Sequence, residues 1–120
     1  MADDAASITE VMGRNLLEVF GERDPDARRA AIAELYAPEV RYDDPEGSGT
    51  GHDAILGAAE AVLARFPDLH FAHATPPTAV GDLGRVGWEL RDANDVAVVS
   101  GMDVATVADG RITRIWIFVN

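Results

Sequence analysis

Apolar residues recur at helical spacing through the first half of the chain and at alternate positions through the second. Ser7-Ile8-Thr9-Glu10 has the S-x-x-E form of a capping box, and Ile8, Val11, Met12, Leu16, Val19 and Phe20 follow on one face until Gly21. This predicts a first helix over 7–20 with Ser7 as its cap. Asp24 and Pro25 supply a cap and a first-turn proline for a second helix, whose stripe of Ala27, Ala31, Ile32 and Leu35 runs to a stop at Pro38. A short extended piece, Val40 to Asp44, ends at Pro45. Ile55, Ala59, Val62, Leu63 and Phe66 mark a third helix over 52–65, closed by Pro67. The period then becomes two, predicting strands over 69–73, 85–91, 96–107 and 111–119. Helices first and a meander of strands after predict an α+β fold, with three helices on one face of a largely antiparallel sheet.

The turns predict a register. Asp109-Gly110 is a two-residue hairpin signal; with that turn, paired positions sum to 219, which sets Asp103 opposite Trp116 and Gly101 opposite Phe118. A symmetric connection over Asp92 to Asp95 gives pairs summing to 187, with Trp88 beside Val99 and Val86 beside Gly101. One face then collects Val86, Trp88, Val99, Asp103, Trp116 and Phe118. A carboxylate among tryptophans is costly and responds by holding its proton, which points to chemistry. The alternative is a bulge that turns Asp103 outward, or hydrogen bonds at a sheet rim. The opposite face presents Val98, Met102, Val104, Ile115, Ile117 and Val119, with Arg85, Glu89, Ser100 and Thr113 between them. Three helices cover only one side of a sheet, so this face is expected to form an isologous homodimer interface.

Composition narrows the chemistry. A chain of 120 residues accommodates one domain, 1–120, and has no room for separate cofactor and substrate halves. Ten basic against 21 acidic side chains give a charge of -11, which argues against nucleic acid and anionic membrane surfaces as partners. Every basic residue is arginine, so Schiff-base and P-loop lysine chemistry is excluded. The absence of cysteine excludes disulfides, thiolate nucleophiles and iron–sulfur clusters. No window approaches a membrane span, and the acidic start lacks a signal peptide's basic region; a soluble, intact, cytoplasmic chain is expected.

Other candidates read as structure. His70 and His73, three apart on a strand, face opposite ways and do not share a metal; His52 is expected at an exposed helix start. Gly47-Ser48-Gly49-Thr50-Gly51 lacks the Walker lysine and reads as a flexible pocket lip. Phe71, Trp88, Trp116 and Phe118 are core or pocket wall. Asp43, Asp92 and Asp95 are solvated loop charges by default, and no serine carries a nucleophile signature.

Leu35-Tyr36-Ala37-Pro38-Glu39-Val40-Arg41-Tyr42-Asp43-Asp44-Pro45, Gly51-His52-Asp53-Ala54-Ile55, Phe66-Pro67-Asp68, and Gly101-Met102-Asp103 running to Asp109-Gly110-Arg111-Ile112 resemble the nuclear transport factor 2-like superfamily. Within it, the sequence is similar to the SnoaL-like branch, which includes polyketide cyclases and is related to ketosteroid isomerases. The resemblance implies a cone: a curved sheet wrapped on three helices around a deep pocket, usually in a homodimer. It also implies that Asp44 stands where the isomerases keep a general base and Asp103 where they keep a protonated donor, the pair of environment-separated carboxylates for which ketosteroid isomerase is the standard illustration. The isomerases' two phenolic donors fall near Asn15 or Leu16 and near Ala59, so both are missing; Asn15 and Tyr42 are the candidate replacements. The Asp-Arg-Asp arrangement of limonene epoxide hydrolases is not clearly reproduced, with Arg85 and Arg114 the candidate arginines. The implied activity is isomerisation or cyclisation of a small apolar carbonyl compound, without metal or organic cofactor. A binding protein for an apolar ligand and a dimerisation module for a partner protein are the competing expectations.

Overall fold

A computed structural model describes residues 4–120. Helix α1 (Ala5–Arg14) starts one turn earlier than its capping box suggests: Asp4, not Ser7, is the cap, and its carboxylate accepts the Ser7 N–H at 2.8 Å. The helix then widens into a π-helical segment, Asn15–Phe20, closed by the Gly21 N–H on the Leu16 carbonyl. A Cβ at Gly21 would lie 2.9 Å from the Leu17 carbonyl oxygen, so only glycine closes this turn without displacement. Helix α2 (Pro25–Leu35) is capped by Asp24 as expected, but it ends before Pro38. Tyr36 already belongs to strand β1 (Tyr36–Asp44), and Pro38 lies in the irregular stretch of that strand, where a missing N–H is tolerated. The glycine-rich lip is an ordered strand, β2 (Gly47–Thr50), paired antiparallel to β1. Helix α3 (His52–Arg65) has the bounds expected.

The remaining strands are β3 (His70–His73), β4 (Thr78–Val80), β5 (Leu83–Arg91), β6 (Ala97–Ala108) and β7 (Arg111–Val119). The short β4 left no alternation to read. Sheet order is β2-β1-β7-β6-β5-β3, with β4 also paired to β5; all pairings are antiparallel except β1 with β7. The helices pack on one face of this sheet, as the α+β reading requires. Their shared core includes Ile8, Met12, Val19, Ile32, Leu35, Ile55 and Ala59 from the helices and Val40, Val86, Ala105, Ile112 and Ile115 from the sheet. No helix among the described residues is long and apolar enough to cross a membrane.

Register decides which side chains meet the core. Beside the Asp109-Gly110 turn the pairs Ala108 with Arg111 and Val107 with Ile112 are those expected. Thr113 is then an extra residue: Thr106 pairs with Arg114, and from there Asp103 faces Ile117 rather than Trp116. The Thr113 hydroxyl secures this bulge by donating to the Thr106 carbonyl at 3.2 Å. One added residue inverts the facing of everything beyond it. Ile115 and Ile117 turn inward, while Trp116 and Phe118 lie on the outer face, Phe118 55 % exposed. The expected inner positions of Trp116 and Phe118, and the outer ones of Ile115 and Ile117, are therefore corrected.

Between β5 and β6 the register differs from expectation by two, pairing Trp88 with Gly101 and Val86 with Asp103. Asp92 accepts the Asn94 and Val96 N–H groups in the connection, Asp95 adopts a positive φ of 62°, and Val98 is bulged out of the ladder. A shift of two preserves facing. Val86, Trp88, Val99 and Asp103 consequently share the inner face.

Candidate active site

Asp103 lies inward on β6 and is 2 % exposed. Its neighbours dictate its protonation: burial pushes its carboxyl up to about 7, and the one opposing influence is the Trp88 indole N–H, which donates to it. Trp88 is held in turn by edge-to-face contact with Phe71, centroids 5.6 Å apart, and Phe71 makes the same kind of contact with Phe20 at 6.3 Å. Close approach of backbone completes the seat. A Cβ at Gly101 would fall 2.3 Å from Trp88 Cζ2 and 2.1 Å from the Phe118 carbonyl oxygen, so the indole occupies space that any larger residue would take.

Asp44 ends β1 with its side chain on the same face as Tyr42. Its Oδ1 accepts the N–H groups of Glu46 at 2.8 Å and Gly47 at 2.9 Å, closing the β1–β2 turn, and its Oδ2 accepts the Tyr42 hydroxyl at 2.6 Å. The parallel ladder sets Tyr42 level with Ile115 and Asp43 level with Trp116, so one residue further Asp44 lies level with Ile117, the partner of Asp103. Two strand spacings, about 10 Å, then separate the backbones of the two acids across one inner face. A cavity of about 250 Å³ opens at Asp44, lined also by Tyr42, Glu46, Gly49, Ala54 and Ala58. Asp103 does not line it. A larger hollow of about 420 Å³ lies elsewhere, between α1 and His73 and Pro77.

Two tyrosines lie within electrostatic reach of Asp103. Tyr42 borders the cavity and is held well above the usual phenol range by burial, by its bond to Asp44 and by the negative charge of Asp103. Tyr36, which the expected helix concealed, is fully buried; burial and Asp103 raise its phenol too, and it donates to Asn15 Oδ1 at 2.5 Å. The even-numbered series Tyr36, Val40, Tyr42 and Asp44, which skips only the exposed Pro38, is the sequence signal for it. Asn15, also fully buried, begins the π-helical segment, and its Nδ2 has no hydrogen-bond partner among the described residues. On the inner side the structure pairs Tyr36 with Asn15, Tyr42 with Asp44 and Trp88 with Asp103, and Phe71, Val86 and Val99 pack in the same apolar layer. Trp116 and Phe118 stand apart.

The other polar candidates fall outside. His52 is half-buried rather than exposed, its Nε2 2.9 Å from the Tyr36 carbonyl oxygen. His70 meets Asp95 at 3.4 Å, His73 faces the α1 hollow, and no cluster of metal-ligating side chains occurs among the described residues. Asp43 and Arg114 meet on the outer face at 3.6 Å, with Arg114 stacked over Trp116 at 4.5 Å; Arg85 is also outside, donating to Thr78.

The SnoaL-like domain family matches residues 14–115. The chain belongs to that family, within the nuclear transport factor 2-like superfamily. Solved structures agree in fold. A proposed isomerase of the SnoaL-like family from Agrobacterium tumefaciens is 28% identical, with a TM-score of 0.86 over 96% of this chain and 98% of that one. A proposed SnoaL-like polyketide cyclase from Jannaschia is 17% identical, TM-score 0.81, over 100% and 90%. A proposed ketosteroid isomerase from Kribbella flavida is 20% identical, TM-score 0.70, over 98% and 80%. Comparison with curated proteins returns no match.

Proposed function

We propose that the protein isomerises or cyclises a small apolar carbonyl compound by acid/base chemistry between Asp44 and Asp103. The observation that carries this reading is the contrast between two carboxyl groups on one sheet face: Asp103 buried beside an indole with its proton retained to about pH 7, Asp44 at the rim of a cavity. Asp44 takes a proton from the carbon next to the carbonyl, the electron pair moves onto oxygen, and neutral Asp103 donates a hydrogen bond to that oxygen. Asp44 then returns the proton at the far carbon of a conjugated dienolate, or the enolate carbon adds to a second carbonyl carbon of the same molecule, whose π electrons move onto its own oxygen and take the proton from Asp44 as the ring closes. The SnoaL-like isomerase and cyclase relatives support this class of reaction.

Deuterium uptake into 2-tetralone and 2-cyclohexenone in D2O, followed by NMR, tests the proposal. Wild-type protein accelerates exchange next to the carbonyl, and Asp44→Asn and Asp103→Asn each lose roughly a hundredfold or more of that acceleration. Wild-type exchange in both variants would refute it. One observation favours a second reading, an apolar-ligand-binding protein: both Asp44 oxygens are already occupied, by the β1–β2 turn and by Tyr42. Ketone binding without exchange in the wild type, undiminished in Asp44→Asn, would select it.

We also propose that a second copy covers the outer sheet face, where Val98, Met102, Val104, Trp116 and Phe118 form an apolar surface. Sedimentation of the wild type as a dimer, and of Phe118→Glu as a monomer, is the expected result; a wild-type monomer at micromolar concentration overturns it.

A further inference from the structure

The hollow beside α1 holds two features that packing alone does not account for. The first is Gly13. It lies inside the continuous helical run of α1 and the π-helical segment, without a positive φ, where glycine is less stable than alanine. A Cβ there would rest 3.4 Å from His73 Cε1 and 3.6 Å from Pro77 Cγ, both ordinary contact distances. Alanine would therefore fit and strengthen the helix; glycine leaves the space open to the hollow. The second feature is His73. Its Nε2 is buried and has no hydrogen-bond partner among the described residues, a state that buried polar groups seldom keep. It lies 3.8 Å from the Gly13 Cβ position, so a ligand nitrogen about 1 Å deeper than that position is at hydrogen-bond distance.

The hollow's volume of about 420 Å³ falls within the roughly 300–1,000 Å³ span of small-molecule sites, and it shares no lining residue with the cavity at Asp44. Ala6, Leu17 and Pro77 give it apolar surface, with Leu17 half-exposed. Charge selects the ligand. Arg14 at its edge is already held by two carboxylates, through Nε and Nη2 on Glu18 at 2.9 and 3.1 Å and through Nη1 and Nη2 on Glu34 at 2.9 and 3.0 Å. Glu10, one turn before Gly13 on the same stripe, is in no ion pair among the described residues. Three carboxylates against one guanidinium, in a chain of charge -11, repel an anion and attract a cation. We propose that this hollow binds a small organic ammonium ion: its N–H donates to His73 Nε2, Glu10 balances its charge, and its apolar body lies on Leu17 and Pro77. The site is independent of the acid/base reading above.

Benzylamine, benzyl alcohol and benzoate present one shape with three charges at neutral pH, and each is titrated into the nitrogen-15-labelled chain while the histidine ring signals are followed by NMR. Benzylamine saturates and moves the His73 Nε2 signal, benzyl alcohol binds more weakly, and benzoate leaves the signal in place. Glu10→Gln weakens benzylamine roughly threefold, the loss of one exposed charge pair. Gly13→Leu fills the hollow and abolishes the shift. If Gly13→Leu fails to fold, Gly13→Ala keeps the test: it raises the melting temperature and still weakens benzylamine, so space for a ligand has been kept against helix stability. A His73 signal unmoved by benzylamine, benzoate binding as tightly as benzylamine, or wild-type affinity in the Gly13 variants overturns the proposal. A lowered melting temperature in Gly13→Ala does so too, since glycine would then serve packing. Loss of benzylamine binding in Asp44→Asn also overturns it, by placing the ammonium in the other cavity.

Discussion

Replacing Asp103 by asparagine isolates what it costs to hold a carboxyl group between the sheet and the helices. Asparagine keeps an acceptor oxygen for the Trp88 N–H and removes only the titration. In the folded chain Asp103 retains its proton to about pH 7, against 3.8 for an aspartate in the open. At about 1.4 kcal/mol per tenfold change in proton affinity, that gap amounts to about 4 kcal/mol. The direction follows from which state holds the proton. Below the unfolded value both states are protonated and the fold bears no charge penalty; from there to about 7 the unfolded chain has released its proton and the folded chain has not, so stability falls as pH rises. Above the folded value the loss is complete. Urea unfolding read by fluorescence of the two tryptophans measures this. Relative to Asp103→Asn, wild-type protein should lose about 3 kcal/mol of stability between about pH 5 and about pH 8.5. Taking the difference between the two proteins cancels the pH dependence of the other 20 acidic residues and the constant cost of the new amide. A difference that stays flat across this range would mean that Asp103 ionises freely, and the case for it as a neutral donor would fall with it.

Trp88→Phe removes the donor that opposes burial, so the Asp103 carboxyl should titrate above its wild-type value; carbon-13 NMR of the aspartate carboxyls reads the direction, and a downward move contradicts the assigned contact. Gly101→Ala places a methyl group on the indole and on the Phe118 carbonyl, and should cost about 1–3 kcal/mol with a change in Trp88 emission; a melting temperature within a degree of wild type would refute the close packing. Deleting Thr113 removes the bulge and turns Ile115 and Ile117 out of the core, so a loss of roughly 3–6 kcal/mol is expected in urea unfolding. Retained stability in that deletion would mean that β7 keeps its facing by some other device.

The helices and the inner face of β5 and β6 were legible because each is a repeating pattern in which one misplaced residue changes little. Helix α3 shows this, its apolar spacing fixing both ends. Asp103 was legible for the same reason: an acid at an apolar position of an alternating strand stands out. What the sequence concealed depends on single residues that break a repeat. The bulge at Thr113 carries no glycine or proline to announce it, yet it moved Trp116 and Phe118 across the sheet. Tyr36 was hidden because helical spacing continued to Leu35 and Pro38 offered a later stop than the chain uses. The link from Trp88 to Asp103 required the two-residue register shift, which Asp92 and Asp95 determine through turn geometry rather than composition. The cone, the choice of Asp44 and the roles of the two carboxylates came from family resemblance.

The pairing of β1 with β7 brings together strands that are far apart in the order of synthesis. A ribosome must deliver residues up to 116 before the ladder beside Asp44 can close, by which time three amphipathic helices have long been waiting with apolar stripes uncovered. Such distant contacts make slow, largely post-translational folding the expectation, with a vulnerable interval in which helper proteins or self-association compete for the nascent chain. Abundance in a cell would then depend on how quickly the last strand docks as well as on the depth of the final energy minimum.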